Sequence, residues 1–324
     1  MSAQEVAELA GVSRSAVSRT FTQGASVSPA TRAKVLQAAD RLGYHVNHLA
    51  RSLIREQSGI VALIVAEVAT PHQGRMLDAL TRRLQARGRV GMVINTAGAD
   101  SAGAALRQTL NYRAGATIVL SGAPSAALIA TCVASGQRVV LINRDDALDG
   151  PVNLTLDNAR AAREALHMLE RCGCRRIAVV SSTAGTPSLV ARERAFVAAA
   201  AARGIEAQVT RAGPTGYAAG FEAGRTLLSG SARPDAAFCV TDLLACGFMD
   251  AARQAFGLRV PEDLCVVGFD DIEQAGWAGY DLTTFRQPVE AIADHVMTVL
   301  EEAEGAGAAC FHAAPVWRRS VRPR

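Results

Sequence analysis

Short apolar runs in this sequence are followed by polar side chains that could bind a hydroxyl-rich ligand. Ligands of open α/β sheets bind beyond the carboxyl ends of the strands, so the residues directly after each run are the candidates. These candidates are Thr70, His72, Gln73, Ser121, Asn143, Arg144, Ser181, Ser182, Arg192, Thr241, Asp242, Asp270, Asp271 and Gln287. Carboxylates, amides and an arginine hold donors and acceptors in fixed positions for hydroxyl groups. The pattern therefore predicts a site for a sugar or a polyol.

Several of these candidates also have a simpler interpretation. One of Asp270 and Asp271 is expected to cap the helix that follows them. Arg192 and Arg194 could equally be solvated charges on one helix. A glycosidase needs two carboxylates across a scissile bond, and neighbours in one turn seldom face each other in that way. The six histidines are scattered and form no convincing Ser/His/Asp set, so we predict no catalytic residues and no enzyme.

A second chemical feature lies near the start of the chain, in the stretch GVSRSAVSRTF at residues 11–21. If a helix begins after Ser13, the polar and the small apolar side chains fall on opposite sides of it. The polar arc holds Arg14, Ser15, Ser18, Arg19 and Thr22, and the opposite side holds Ala16, Val17 and Thr20. One face of this helix can pack while the other contacts a partner.

The flanking residues predict two further helices. Ser2 and Glu5 have the spacing of a capping box, and Gly11 can end the first helix because glycine accepts the left-handed conformation. Ser28 and Pro29 are typical of the cap and first position of a third helix. Two short helices joined by a three-residue turn, with a third closing a small core, favour a helix-turn-helix domain.

The charge distribution favours DNA as the partner of that domain. Residues 1–57 hold seven basic and four acidic side chains, which accounts for three of the chain's four net positive charges. The alternative is an ordinary helical bundle with a solvated serine and arginine face.

Beyond residue 57, apolar runs alternate with amphipathic helical segments. The runs lie at residues 59–65, 90–95, 116–120, 138–143, 176–181, 207–211, 236–240 and 264–269. Such alternation predicts parallel sheets covered by helices on both faces. Eight runs suit two doubly wound lobes better than one, and the polar stretch before Asp157 is the expected division.

Composition and motifs exclude several classes of protein. A chain of 324 residues with 49% apolar residues can form more than one core. It has neither a leader pattern nor an apolar stretch of about 18 residues, so we expect a cytoplasmic protein without a membrane span. Neither G-x-G-x-x-G nor GK[ST] follows any run, which predicts no nucleotide cofactor. Cys172 and Cys174 favour a helix-end turn over a metal site, and we expect most of the seven cysteines to be buried free thiols.

The sequence resembles the lactose-repressor/galactose-repressor family of bacterial transcription regulators over essentially its whole length. The stretches that carry the resemblance include GVSRSAVSRTF, NHLARSL, RRIAVVS, ARERAF, RVPEDLCVVGFDDI and DLTTFRQP. The resemblance implies a helix-turn-helix domain followed by a two-lobed α/β core like that of periplasmic binding proteins. A solute-binding protein or a carbohydrate-active enzyme of the same two-lobed architecture is the alternative.

The resemblance also implies roles in DNA binding. The implied contact residues are Ser13, Arg14, Ser15, Ser18, Arg19, Thr31, Asn47, Ala50 and Leu53. Arg14, Ser15 and Arg19 would contact base edges in the major groove. Residues 47–53 match a hinge helix that enters the minor groove, where Leu53 would wedge into a base step. Val46 replaces the usual proline before the hinge, so the entry to that helix is expected to be less rigid.

For the core, the resemblance implies a small-molecule effector, sugar-like in chemistry, between the two lobes. The expected effector contacts are His72, Gln73, Asn143, Arg192, Thr241, Asp270 and Gln287, with Tyr217 or Trp277 either stacking on the ligand or packing in the core. The expected division is 1–44 for the DNA-binding domain, 45–57 for the hinge, 58–158 with 287–313 for one lobe, and 159–286 with 314–324 for the other. A homodimer on a pseudo-palindromic DNA operator, associated with the nucleoid, is the expected assembly.

Overall fold

The computed structural model of the chain describes residues 1–22, 25–45, 58–96, 101–121, 125–144, 149–301 and 307–322, with the backbone alone for residues 101 and 102. The chain divides into two units, Met1–Ser58 and Gly59–Arg324. The predicted hinge residues Asn47, Ala50 and Leu53 lie outside the described residues.

Polar caps set the boundaries of the helices in the first unit. The helices are α1 (Ala3–Ala10), α2 (Arg14–Thr20) and α3 (Pro29–Leu42). Ser2 and Glu5 form both bonds of the predicted capping box, and Gly11 ends α1 with a φ of 64°. The hydroxyls of Ser13 and Ser28 accept backbone N–H groups at the starts of α2 and α3. These predictions from the sequence are confirmed.

The second unit alternates strands and helices, as the sequence predicts. Its strands are β1 (Ser58–Val65), β2 (Val90–Asn95), β3 (Ala114–Val119), β4 (Arg138–Ile142), β5 (Val152–Leu156), β6 (Ile177–Ser181), β7 (Gln208–Arg211), β8 (Ala236–Cys239), β9 (Cys265–Val267), β10 (Thr284–Arg286), β11 (Ala309–Phe311) and β12 (Ala314–Val316). Its helices are α4 (Pro71–Ala86), α5 (Ser101–Asn111), α6 (Ala126–Ala134), α7 (Asn158–Arg171), α8 (Pro187–Ala201), α9 (Tyr217–Ser229), α10 (Asp242–Phe256) and α11 (Val289–Glu301), with a 3₁₀ turn at Glu273–Gly276.

The strands form three sheets. One has six strands in the order β11-β5-β4-β3-β1-β2, and a second has four in the order β7-β6-β8-β9. Strand pairing is parallel throughout the second sheet and in the pairs β1–β2, β3–β4, β4–β5 and β5–β11 of the first. Strands β10 and β12 pair antiparallel in a small third sheet. The fold is therefore the predicted α/β architecture with two parallel sheets.

Each of the two large sheets has its own apolar core. Phe196 and Phe238 stack at 4.5 Å in the core of the four-stranded sheet. Leu63 and Ile118 belong to the core of the six-stranded sheet, where α4 and α11 cover one face. Across the described residues, no helix combines the length and apolar character needed to cross a membrane.

Four strands were not predicted from the sequence. Strand β5 alternates Val152, Leu154 and Leu156 with Asn153 and Thr155, a two-residue period that a search for continuous apolar runs overlooks. Strands β10, β11 and β12 have three residues each, too few for a periodic pattern to show. These strands are defined by the neighbours with which they pair rather than by their own composition.

Close packing of α9 against α10 gives a test of the fold. A methyl group at Gly247 would overlap the carbonyl oxygen of Tyr217, so Gly247→Ala should lower the free energy of unfolding by about 1–3 kcal/mol. Gly74 in α4 has no neighbour within contact of an added methyl group, and Gly74→Ala should stabilise by about 0.5–1 kcal/mol. Urea unfolding of both variants measures the difference, and equal effects would contradict the close helix contact.

Candidate functional site

A polar cavity lies where the two large sheets present the carboxyl ends of their strands. Asn143 follows β4, and Thr241 and Asp270 follow β8 and β9. His72 and Gln73 come from the first turn of α4, which Pro71 begins. Six of the seven predicted effector residues therefore line one cavity, namely His72, Gln73, Asn143, Arg192, Thr241 and Asp270.

The centre of the site is a buried ion pair. Arg192 Nη1 lies 3.1 Å from Asp270 Oδ1, and both side chains are more than nine-tenths buried. The same nitrogen donates to the carbonyl oxygen of Val240 at 2.9 Å. The guanidinium group also lies 3.9 Å above the ring of Phe269. Burial lowers the pKa of Arg192, and the Asp270 carboxylate opposes that shift.

A chain of hydrogen bonds extends from this pair to the first sheet. Gln287 Nε2 donates to Asp270 Oδ1 at 2.6 Å, and Asn143 Nδ2 donates to Gln287 Oε1 at 3.3 Å. Gln287, the seventh predicted effector residue, does not line the cavity but supports the Asp270 carboxylate from behind. Its observed contacts are those of a positioning residue.

Three buried polar atoms of the cavity have no hydrogen-bond partner among the described residues. They are Nδ1 of His72, Oδ1 of Asn143 and Nε of Arg192. Burial lowers the pKa of His72, so its imidazole is neutral at neutral pH and can either donate or accept. The three atoms together offer a donor, an acceptor and a group that can act as either.

The prediction that Asp270 or Asp271 caps the next helix is wrong. The 3₁₀ turn Glu273–Gly276 follows Ile272 and has no side-chain cap. Both carboxylates are instead engaged by residues distant in sequence. Asp271 accepts hydrogen bonds from Arg286 at 2.6 Å and from Arg318 at 2.7 Å.

The structure also shows where Arg194, Tyr217 and Trp277 lie relative to the cavity. Arg194 is solvent-exposed, whereas Arg192 on the same helix is buried. Tyr217 and Trp277 neither line the cavity nor lie in the core, since they are 40% and 50% exposed. Cys172 ends α7 as predicted.

Some residues of the cavity were missed by sequence reasoning. Thr186 and Ser188 line it from the start of α8, and Glu67 and Thr215 line it from loops. Pro187 at the first position of α8 was the available signal, because it marks a helix start close after a strand. No signal of that kind precedes Glu67, whereas Pro214 directly precedes Thr215 between β7 and α9.

A buried carboxyl group beside the cavity, Asp242, was not among the expected effector contacts. Its Oδ2 accepts the backbone N–H of Ile272 at 2.9 Å, and its Oδ1 accepts the hydroxyl of Thr284 at 2.5 Å. Burial, followed by the nearby Asp270 carboxylate, raises the pKa of Asp242 to about 7. It thus holds the loop that carries Asp270 from the side away from the cavity.

The first unit presents a basic face on α2. Arg14, Ser15, Ser18 and Arg19 are exposed, and Ala16, Val17 and Thr20 are buried on the opposite side, as predicted. Thr22, the fifth predicted member of the polar arc, lies beyond the end of α2 and is half-buried. Thr31 is half-buried, and its hydroxyl lies 2.8 Å from that of Ser28 at the start of α3. Arg32 donates to the carbonyl oxygen of Thr20 at 2.9 Å and so holds α3 against α2. The face formed by Arg14, Ser15, Ser18 and Arg19 is called the α2 polar face.

A helix-turn-helix unit joined to an α/β core with a polar cavity between two sheets is the architecture of a ligand-responsive transcription regulator. Two family models match the chain: "Bacterial regulatory proteins, lacI family" at residues 2–47, and "Periplasmic binding protein-like domain" at residues 166–320. The chain belongs to the lacI family of bacterial transcription regulators. The match of residues 2–47 favours this class over a solute-binding protein or a carbohydrate-active enzyme.

Individual relatives agree with this assignment along most of the chain. The ribose operon repressor of Escherichia coli (strain K12) is 30% identical over 319 residues, which cover 92% of this chain and 91% of the relative. The transcriptional regulator CelR of Thermobifida fusca is 32% identical over 324 residues, which cover 91% of this chain and 89% of the relative. A crystal structure of the Lac repressor dimer bound to operator and the anti-inducer ONPF has the same fold, with a TM-score of 0.87, 24% identity and 99% coverage of both chains.

The raised pKa of Asp242 predicts a stability that depends on pH. The folded protein retains the proton of Asp242 at pH values where the unfolded chain has lost it, so the free energy of unfolding falls as pH rises towards 7. This decrease in the free energy of unfolding is at most about 4 kcal/mol. In Asp242→Asn this contribution should be absent, because the amide does not titrate. Urea unfolding at pH 5 and pH 8 tests this, and parallel pH profiles for the two proteins would refute it.

Proposed function

We propose that the chain represses transcription from a pseudo-palindromic operator as a homodimer, and that a neutral polyhydroxy effector binding in the cavity controls it. The observation that carries the effector proposal is the buried Arg192–Asp270 pair with three unpartnered polar atoms around it. Such a regulator would act on the nucleoid, in the cytoplasm.

The unpartnered atoms favour hydroxyl groups as their ligand. Nε of Arg192 donates, Oδ1 of Asn143 accepts, and the neutral imidazole of His72 can do either. A hydroxyl group both donates and accepts, so a compound with several hydroxyls can satisfy all three. Buried polar atoms without partners cost about 1–3 kcal/mol each, which a fitting ligand recovers.

Charge balance favours a neutral ligand. The positive charge of Arg192 is compensated by Asp270 at 3.1 Å, and Glu67 adds a carboxylate to the lining. Among the described residues that line the cavity, Arg192 is the only cation and Asp270 compensates it, so the lining favours a neutral sugar over a phosphorylated or acidic one. The names of the relatives, which include a ribose operon repressor, support a sugar as the effector.

The size of the cavity supports a mechanism in which the lobes move. The enclosed space is about 50 Å³, enough for a few water molecules. A sugar ring needs more room, so we propose that the effector binds a more open arrangement of the lobes 58–158 with 287–313 and 159–286 with 314–324. Linkage between that arrangement and the hinge at 45–57 would then change operator affinity, with a coupling of about 1–3 kcal/mol.

The α2 polar face supports recognition of DNA bases. The side chains of Arg14 and Arg19 are exposed and form no ion pair with any described residue, so both are available to a nucleic acid. We propose base contacts for Arg14, Ser15 and Arg19, and backbone contacts for Ser13, Ser18 and Thr31. Asn47, Ala50 and Leu53 complete the proposed interface from the hinge.

Selection of random duplex DNA by the purified protein, followed by sequencing, tests the operator proposal. An inverted repeat with half-sites about one helical turn apart is expected for a dimer. Selection is repeated with a panel of neutral sugars, since a family member can require an effector to bind. Recovery of no motif under either condition would overturn the proposal.

Arg14→Ala should change sequence preference as well as affinity. Loss of a bidentate contact to a base costs about 1–3 kcal/mol and relaxes preference at one position of each half-site. Arg41→Ala removes an equal charge from an exposed position near the end of α3 and is the control. Selected sequences measure the effect, and an unchanged motif for Arg14→Ala would place the base contacts elsewhere.

Arg192→Ala should abolish the effector response while operator affinity is retained. Calorimetric titration with the neutral sugar that alters operator binding should show at least tenfold weaker affinity, because the ligand loses a charged hydrogen-bond donor, which contributes about 1.5–3 kcal/mol. Gln73→Ala should weaken sugar binding about tenfold. This variant leaves the buried pair intact, so it tests the site even if Arg192→Ala fails to fold. Arg194→Ala, on the exposed side of the same helix, should bind normally. Normal binding by all three variants would move the site elsewhere.

A further inference from the structure

One hydrogen bond beside the cavity directly joins the two proposed lobes. Arg75, an exposed residue of α4, donates from Nη1 to the backbone carbonyl oxygen of Asp271 at 2.7 Å. Residue 75 belongs to the proposed lobe 58–158 with 287–313, and residue 271 belongs to the lobe 159–286 with 314–324. The bond can therefore form only while the two lobes are close together, in the arrangement that the structure shows, which is called the closed arrangement.

This bond connects the same two segments that line the cavity. His72 and Gln73 precede Arg75 within the first turns of α4, and both line the cavity. Asp270, which lines the cavity from the other lobe, directly precedes Asp271. Because α4 is a continuous helix, a movement that separates His72 from Asp270 to admit a ligand also separates Arg75 from Asp271.

The carbonyl oxygen of Asp271 is held in place by its own lobe. The carboxylate of Asp271 accepts hydrogen bonds from Arg286 and Arg318, and both arginines belong to the lobe 159–286 with 314–324. Asp271 has a φ of 52°, a conformation that residues other than glycine seldom adopt. Such a conformation persists where the surrounding contacts fix it. The carbonyl oxygen therefore stays with its own lobe when the lobes separate, and the bond from Arg75 has to break.

Arg75 differs in this respect from two other arginines of α4. Arg82 pairs with Asp78 of the same helix at 2.9 Å, and Arg83 pairs with Asp294 of α11 at 2.7 Å. These ion pairs stay within one proposed lobe, whereas the guanidinium group of Arg75 bonds a carbonyl oxygen of the other lobe. A hydrogen bond from a charged donor is stronger than one between neutral groups, so this contact stabilises the closed arrangement.

We propose that Arg75 is a positioning residue that favours the closed arrangement and thereby weakens effector binding. The inference rests on the proposed function, in which the effector binds a more open arrangement of the lobes. The apparent affinity for such a ligand is its intrinsic affinity multiplied by the fraction of molecules in the open arrangement. A bond that forms only in the closed arrangement lowers this fraction, so its removal strengthens effector binding.

Substitution of Arg75 tests the proposal by calorimetric titration of the full chain. The probes are D-glucose, D-galactose, D-ribose and D-xylose, and the sugar that the wild-type protein binds is used for every variant. Arg75→Met, which lacks the donor, should bind this sugar about tenfold more tightly, because a charged hydrogen bond is lost from the closed arrangement alone. Arg75→Lys retains a charged donor and should remain within about threefold of wild type.

Arg82→Met is the matched control for the titration. It removes an equal charge from the same helix but no bond between the proposed lobes, so its sugar affinity should equal that of wild type. Arg75 and Arg82 are both exposed, and urea unfolding confirms that each variant is folded. Damage to the fold would weaken sugar binding, so a gain in affinity is a result that a merely structural role of Arg75 does not produce.

Loss of the bond should also reproduce the effect of the sugar on DNA binding. Without sugar, the operator affinity of Arg75→Met should shift in the direction in which the sugar shifts that of wild type, because both changes populate the open arrangement. Fluorescence anisotropy with the selected operator duplex measures the shift. Arg82→Met should show no such shift, which separates the effect of the bond from the effect of the lost charge on DNA binding.

The outcomes distinguish this inference from the proposed function. Failure of the wild-type protein to bind any of the sugars would overturn the effector proposal and this inference with it. If wild type binds a sugar and Arg75→Met binds it with equal or weaker affinity, the role of Arg75 is refuted while the effector site stands. A shift of operator affinity in the opposite direction would refute it as well.

Discussion

The buried pair of Arg192 and Asp270 is the constraint on which the second unit depends. Each charge would cost several kcal/mol if it were buried alone, so both must find partners. The carboxylate receives Arg192 and Gln287, and the guanidinium also donates to the carbonyl of Val240. The pair therefore requires four segments to meet in one arrangement: α8, the end of β8, the loop after β9 and the chain after β10. Asp242 fixes the same loop through the backbone of Ile272.

Gln287 links the Asp270 carboxylate beside the four-stranded sheet to Asn143 beside the six-stranded sheet, and its two hydrogen bonds differ in strength. Gln287 is bonded to the Asp270 carboxylate at 2.6 Å but to Asn143 at 3.3 Å. Hydrogen bonds to charged groups are about twice as strong as neutral ones, so the neutral amide contact is the weaker link. Arg75 adds a further bond, from α4 to the carbonyl of Asp271 at 2.7 Å. A ligand that changes the relation between the sheets acts against these few contacts and leaves the Arg192 pair intact.

Local signals in the sequence predict most of the fold, whereas contacts between distant residues do not follow from them. The caps at Ser2 and Ser13 and the apolar runs of β1 and β6 act within a few residues, and all were predicted. Strand β5 was missed because only continuous apolar runs were read as strands, whereas its apolar residues alternate with Asn153 and Thr155. One of Asp270 and Asp271 was predicted to cap a helix, because nothing in the sequence indicates that Arg192 reaches Asp270 or that Arg286 and Arg318 reach Asp271. The polar residues after the strands were predicted as a set, and the structure brings six of the seven effector candidates to one cavity.

Between β11 and β12 the chain passes from the six-stranded sheet to the small third sheet, and this passage bears on how the protein folds during synthesis. Strand β11 pairs with β5 in the six-stranded sheet, and after two residues β12 pairs with β10 beside the other sheet. The six-stranded sheet and the small β10–β12 sheet are complete only when residues 309–316 have left the ribosome, whereas the three helices of the first unit are complete within the first 45 residues. Domains generally fold as units from the amino end during translation. A ribosome that stops early would therefore release a chain with a finished set of DNA-binding helices and two unfinished sheets, able to contact DNA without responding to an effector.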